Sequence, residues 1–174
     1  MRYCKESEIL DTDFIYSLLG RPYKDPNRLL SVSGSGGYFI EDIQLEDSTL
    51  APIPDDAKAN IQRYDKGLLI AFNKSNRLYG LAVFWEEINK IQLSQGPVHL
   101  QPKFPLPLWW LLRFGVAPEK AKHFGLFGEY KQEPLTLRIT FGGHQISLFA
   151  NGFSFDEKAS YFRALSDKTV VIIQ

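Results

Sequence analysis

In Leu135-Thr136-Leu137-Arg138-Ile139-Thr140-Phe141 an apolar side chain stands at every second position, and this alternation constrains the fold more tightly than any other stretch of the chain. Successive side chains of an extended strand point to opposite faces, so the pattern makes one apolar face and one polar face. On a helix the same residues would scatter around the circumference. The expected element is an antiparallel strand half-buried against a core. Gly142-Gly143 follows, two residues that take positive φ without steric cost, and 144–149 alternates again with Ile146 and Leu148 on one face. A hairpin is expected. After Asn151-Gly152, a second turn signal, Ser154-Phe155-Asp156-Glu157 has capping-box spacing: a hydroxyl for an orphan amide and a carboxylate that reaches back. Phe155, Ala159, Phe162 and Leu165 then recur at helical steps opposite Asp156, Lys158, Ser160 and Arg163. The implied helix lies on the sheet.

The chain of 174 residues suits one domain, 1–174, with enough apolar content for a core. Twenty basic and twenty acidic residues cancel, and no basic run tracks phosphates, so nucleic acid is not an expected partner. The charge is uneven: 1–66 carries eight Lys/Arg against twelve Asp/Glu, and 67–174 carries twelve against eight. The single cysteine, Cys4, excludes an internal disulfide and a thiolate zinc cluster, and residues 1–6 contain no apolar signal region. A reducing cytoplasm is the expected compartment. No apolar run approaches the roughly 20 residues of a membrane-spanning helix.

Along the chain, 11–19 is expected to form a short helix that Asp11 caps and Gly20 ends, within an N-terminal helical appendage, 1–27. Residues 28–33 and 38–45 have strand character, and Gly34-Ser35-Gly36-Gly37 between them is expected to be a hairpin turn. A phosphate cradle there would need a P-loop lysine and a following helix, and neither is present. Residues 52–65 are polar, with Pro54 at a plausible first helical position and Asp55-Asp56 behind it, so a short helix and an ordered loop are both open. Leu68 to Phe72, a break at 73–76, and 77–85 read as a second hairpin whose long strand is covered on both faces. Ile88 to Leu93 and 98–101 are further strands. Glu86 and Glu87 read as a solvated strand end. At 103–132 the pattern breaks. Phe104-Pro105-Leu106-Pro107-Leu108-Trp109-Trp110 is strongly apolar, and its prolines forbid a central strand. They allow a helix from Pro107 to Gly115 and a second from Pro118 to Gly125, a helical insertion near 104–124. Residues 169–173 form a last β-branched strand.

Leu68-Leu69-Ile70-Ala71-Phe72, Arg77-Leu78-Tyr79 and Glu87-Ile88-Asn89-Lys90-Ile91, together with the strand and helix from Gln145 to Leu165, resemble the pleckstrin-homology-like superfold, including its bacterial PH-like and GRAM-type members. The resemblance implies an α+β, mainly antiparallel fold over 28–166: a partly open barrel of about seven strands closed by a C-terminal helix, with Phe162 where many members carry tryptophan. It departs from the phosphoinositide-binding pattern at Gly34-Ser35-Gly36-Gly37, which carries no Lys or Arg. The insertion at 103–132 and the strand at 169–173 lie outside the minimal fold.

No constellation of residues identifies a reaction, so no catalytic residue, metal ligand or cofactor is assigned. A non-catalytic binding module is expected to contact a protein partner or an anionic membrane surface through the insertion. Its candidate residues are Trp109 and Trp110, which favour interface hot spots and bilayer interfaces, with Lys103, Arg113, Lys120 and Lys122 for anionic headgroups. The alternative for the tryptophans is a core position beneath the insertion. A second reading is a small-ligand protein or enzyme with a pocket between sheet and insertion, drawing on His99, His123 or His144. A third is a homo-oligomeric scaffold in which the strand at 169–173 pairs across subunits.

Overall fold

A computed structural model describes residues 1–23, 34–44, 57–126 and 128–174. The strands are β1 (Arg2–Cys4), β2 (Gly34–Gln44), β3 (Lys58–Arg63), β4 (Gly67–Lys74), β5 (Arg77–Phe84), β6 (Ile88–Ser94), β7 (Val98–Leu100), β8 (Tyr130–Gln132), β9 (Leu135–Phe141), β10 (His144–Ala150) and β11 (Val171–Ile173). The α-helices are α1 (Glu6–Leu10), α2 (Thr12–Leu19), α3 (Pro107–Arg113), α4 (Pro118–Ala121) and α5 (Phe155–Arg163). Nine strands form one sheet in the order β1-β5-β4-β3-β2-β10-β9-β6-β11, and β7 and β8 form a separate ribbon. All pairings in the large sheet are antiparallel except β11 on β6, which is parallel. The fold is therefore α+β with a mixed, mainly antiparallel sheet that does not close into a barrel.

Two of the three expected hairpins form, β4–β5 and β9–β10, for the reason their turn residues give. Ser75 and Asn76 have φ of 52° and 62°, and Gly142 and Gly143 have φ of 49° and 82°. Two consecutive residues at positive φ produce a turn whose twist matches that of the flanking strands. Asp11 caps α2 through its Oδ1, which accepts from the Asp13 and Phe14 amides at 3.0 and 3.1 Å, and Gly20 at φ 81° ends the helix.

The core lies along one face of the sheet. A single buried cluster draws on Leu81 and Val83 of β5, Ile88, Ile91 and Leu93 of β6, Leu137 and Ile139 of β9, and Ala159, Phe162 and Leu165 from α5 onward. Strands from opposite flanks of the sheet thus share one core, so the sheet curls over it and α5 covers the same interior. A second cluster sits on the other face of β4 and β5, where Ile15 and Leu19 of α2 meet Leu69 and Ala82. These two layers explain why β5 is buried from Gly80 through Val83 with no alternation.

Ile88 and Ile91 are both buried although they are three residues apart, which an unbroken strand does not allow. A bulge resolves this. The register of β6 against β9 shifts between Ile88 and Lys90, and the side chain of Asn89 accepts the Gly142 amide at 3.1 Å.

Several expectations are corrected. Residues 58–63, read as helix or loop, are strand β3, paired with both β2 and β4. Its inward positions are Ala59, Ile61 and Arg63, and only one of the three is a large apolar residue, so the alternation was faint. Gly34-Ser35-Gly36-Gly37 is not a turn: it begins the 11-residue β2 and holds a bulge between Ser35 and Tyr38, with Gly37 at φ 76°. Helix α5 forms, but Ser154 does not cap it; its hydroxyl donates to the Asn151 carbonyl at 2.7 Å instead. Lys158, placed on the polar face of α5, is buried. The strand expected at 28–33 and Asp55-Asp56 lie outside the described residues.

Cys4 is fully buried, and burial pushes its thiol above the ordinary range. Buried thiols of this kind are inert. The native protein is expected to react with an aromatic disulfide reagent at pH 8 at least about 100-fold more slowly than the urea-unfolded chain. Equal rates in a stopped-flow thiol assay would mean that β1 does not hold the edge of the sheet.

Candidate functional site

The insertion is built on the β7–β8 ribbon, in which Val98 faces Gln132 and Leu100 faces Tyr130. Glu129, at the head of β8, is fully buried, and its two carboxylate oxygens accept the Lys103 amide at 2.7 Å and the Leu126 amide at 3.1 Å. A buried carboxylate that ties together the two ends of the segment from 103 to 126 explains how so short an excursion keeps a defined shape. Helix α3 begins at Pro107, whose ring presets φ, and Gly115 at φ 78° ends it. Leu108 is its buried anchor, and Ala121 of α4 is buried with it.

Five apolar side chains of the insertion face outward. Phe104 is 68% exposed, Trp110 42%, Phe114 76%, Phe124 57% and Leu126 46%. Trp109 is half-buried. Four of the rings form a continuous array: Phe104 meets Trp109 edge-on at 5.0 Å, Trp109 meets Trp110 edge-on at 4.8 Å, and Trp110 stacks on Phe114 at 5.8 Å. The last pair follows from helical i, i+4 spacing. The two readings of the tryptophans therefore separate. Leu108 holds the core position beneath the insertion, while Trp110 stands at the surface with Trp109 partly under it.

Among the candidate cations, Lys103, Arg113 and Lys120 are exposed. Lys122 is half-buried and lines a shallow cleft with His123 and Tyr130 against Phe155 and Asp156 at the start of α5. Residues 103–132 carry five Lys/Arg (Lys103, Arg113, Lys120, Lys122, Lys131) and two acids, Glu119 and Glu129. The Glu129 carboxylate is turned inward, so the insertion presents a net positive, aromatic surface.

The histidines lie on different elements. His99 of β7 pairs with Glu133 at 2.9 Å, both about half-exposed, a surface contact of small energetic weight. His123 is exposed in the short 3-10 turn after α4, and His144 lies beside Phe141 at the β9–β10 turn. Glu86 is exposed, whereas Glu87 accepts the Phe84 amide at 3.1 Å and pairs with the Met1 ammonium. Burial pushes Glu87 upward, and these two hydrogen bonds outweigh it, so its carboxyl titrates below the ordinary range. Among the described residues no group of three or more His, Cys, Asp or Glu is placed to hold a metal ion, and no helix is long and apolar enough to cross a membrane.

The sequence drew attention to Trp109 and Trp110 and passed over Phe104 and Phe114, which are more exposed. The signal was present: Phe104 precedes two closely spaced prolines, and Phe114 stands four residues after Trp110. No family model matches the chain, and no curated protein and no solved structure matches it.

Proposed function

We propose that this chain is a non-catalytic binding module on a PH-like sheet, and that the insertion is its contact surface for an anionic membrane interface. The observation that carries the reading is the array of Phe104, Trp109, Trp110 and Phe114 held at the surface of a segment with a net positive charge. Full burial of a phenylalanine side chain is worth about 1.5–3 kcal/mol. An array left in water therefore holds several kcal/mol that only an occupant can recover. Aromatic rings of this kind settle at the level of lipid headgroups, and each nearby Lys or Arg adds about 1 kcal/mol at an anionic leaflet. The anionic charge of the cytoplasmic leaflet fits the compartment that Cys4 suggests.

The strand order supports the PH-like part of the reading. Leaving aside β1, β11 and the ribbon, seven strands run β5-β4-β3-β2-β10-β9-β6, so the last of the set pairs with the first. That pairing is how a sheet begins to close upon itself, and α5 follows the last strand into the shared core.

Co-sedimentation with vesicles containing about 30% phosphatidylserine tests the membrane contact, with pure phosphatidylcholine as reference. The wild type is expected to bind the anionic vesicles, and Trp110→Ala and Phe114→Ala are each expected to weaken binding about ten-fold, which is about 1.4 kcal/mol. Both side chains are exposed, so stability should move by no more than about 0.5 kcal/mol. Absence of lipid-dependent sedimentation of the wild type overturns the membrane contact and leaves a protein partner for the same surface.

A further inference from the structure

A cavity of about 450 Å³ lies between the glycine-rich start of β2, the end of β3 and the outer flank of α5. Two cations on its wall are more than nine-tenths buried: Arg63 is 7% exposed and Lys158 6%. Buried charges are ordinarily paired, because removing an ion from water costs several kcal/mol. Neither cation has a buried carboxylate for a partner among the described residues. Lys158 donates to the Gly36 carbonyl and sits 4.1 Å above the ring of Tyr38. Arg63 donates from Nη1 to the Ala164 carbonyl at 2.8 Å, lies 3.9 Å over the Tyr23 ring, and reaches the solvent-exposed Asp167 only at 3.6 Å. Among the described residues the one carboxylate on the cavity wall, Glu157, is exposed. Burial holds the Lys158 ammonium below the usual lysine range, the direction expected of a cation that lacks its counter-charge.

We infer that this cavity binds the oxyanion of a small soluble molecule, a phosphate monoester, between Lys158 and Arg63. An ammonium and a planar guanidinium lining one cavity are the groups that recognise phosphate by charge-assisted hydrogen bonds. The hydroxyl of Ser160, which also lines the cavity, provides a further donor. The ring of Tyr161 supplies an apolar surface for the rest of the ligand, and the volume falls within the usual range for small-molecule sites. The site shares no residue with the insertion and does not depend on the membrane contact proposed above.

Phenyl phosphate is the probe, titrated into the full-length chain by calorimetry and followed by the backbone amide resonances of Gly36 and Gly37. One saturable site is expected, with shifts at both glycines. Lys158→Met keeps the length and apolar stem of the side chain and should weaken binding at least about ten-fold. Glu157→Gln removes an exposed charge beside the site without touching the core, and should tighten binding about two-fold. Inorganic phosphate should compete and acetate compete more weakly, while vesicle binding of Lys158→Met stays at the wild-type level. The inference is overturned by non-saturable binding, by glycine resonances that do not move, by unchanged or weaker binding in Glu157→Gln, or by a Lys158→Met defect confined to vesicles, which assigns the cations to a lipid headgroup. Should Lys158→Met fail to fold, the wild-type resonances and Glu157→Gln decide alone.

Discussion

Alanine at Phe162 is expected to cost about 3–5 kcal/mol, the range for truncating a large aromatic in a core that cannot collapse around the gap. Phe162 is fully buried in the main cluster, where α5 covers the interior that strands from both flanks of the sheet share. Tyr161 packs edge-on against it at 5.2 Å, and the Tyr161 hydroxyl donates to the Ile61 carbonyl of β3 at 3.4 Å, so α5 is tied to the sheet beside the residue. No apolar side chain from a second layer can move into the gap, because the second cluster lies on the opposite face of β4 and β5. Domains of this size are stable by about 5–15 kcal/mol, so the loss would consume a large share. Urea denaturation followed by far-ultraviolet circular dichroism measures it. Phe155→Ala is the internal comparison: Phe155 is half-buried at the edge of the same cluster and should cost about half as much. A cost below about 1.5 kcal/mol for Phe162→Ala would mean that the helix rests on the core without closing it.

Legibility in the sequence followed the strength of local signals. The β4–β5 and β9–β10 hairpins were readable because alternation and turn chemistry agree there, and α2 because Asp11 and Gly20 mark both of its ends. Strand β3 was not, because a strand in the middle of the sheet takes its identity from neighbours that are distant in sequence, and its inward set of Ala59, Ile61 and Arg63 does not look apolar. Lys158 was misplaced for a related reason. Helical spacing assigns a side chain to a face, but the glycine bulge of β2 approaches the flank of α5 and covers that face as well. The candidate surface was half legible: the prolines announced an insertion, and the choice between a buried and an exposed Trp110 rested on Leu108 taking the inner position. Which of two apolar neighbours turns inward depends on the ribbon beneath, and local pattern does not carry that information.

Alanine at Gly152 should cost about 3 kcal/mol, the upper end for forced overpacking, although glycine to alanine is among the smallest changes possible. A Cβ at Gly152 would lie 2.2 Å from the Glu133 carbonyl oxygen and 2.4 Å from Cγ of Gln132. A Cβ at Gly96 would lie 2.3 Å from the Pro134 oxygen, so the chain returning from the insertion to β9 passes between two bare backbones. The Glu133 amide is also bonded to the Pro97 carbonyl at 3.0 Å and the Gln132 side chain to the Gly96 carbonyl at 2.6 Å, which leaves this segment no direction in which to yield. Gly36 is the control. Its added Cβ would meet nothing closer than Asn60 Oδ1 at 3.5 Å and its φ is not positive, so Gly36→Ala should be neutral or stabilise by up to about 1 kcal/mol through the unfolded chain. Hydrogen exchange separates a global loss from a local one. If Gly152→Ala releases only the insertion, amides of β7 and β8 lose protection while those of β9 and β10 keep it, and vesicle binding falls with the fold of the sheet intact. If the clamp also secures the exit of β10 toward α5, all four strands weaken together. The second result is expected, because Gly152 lies directly between β10 and α5, where a displacement of the backbone is passed to the helix that carries Phe162.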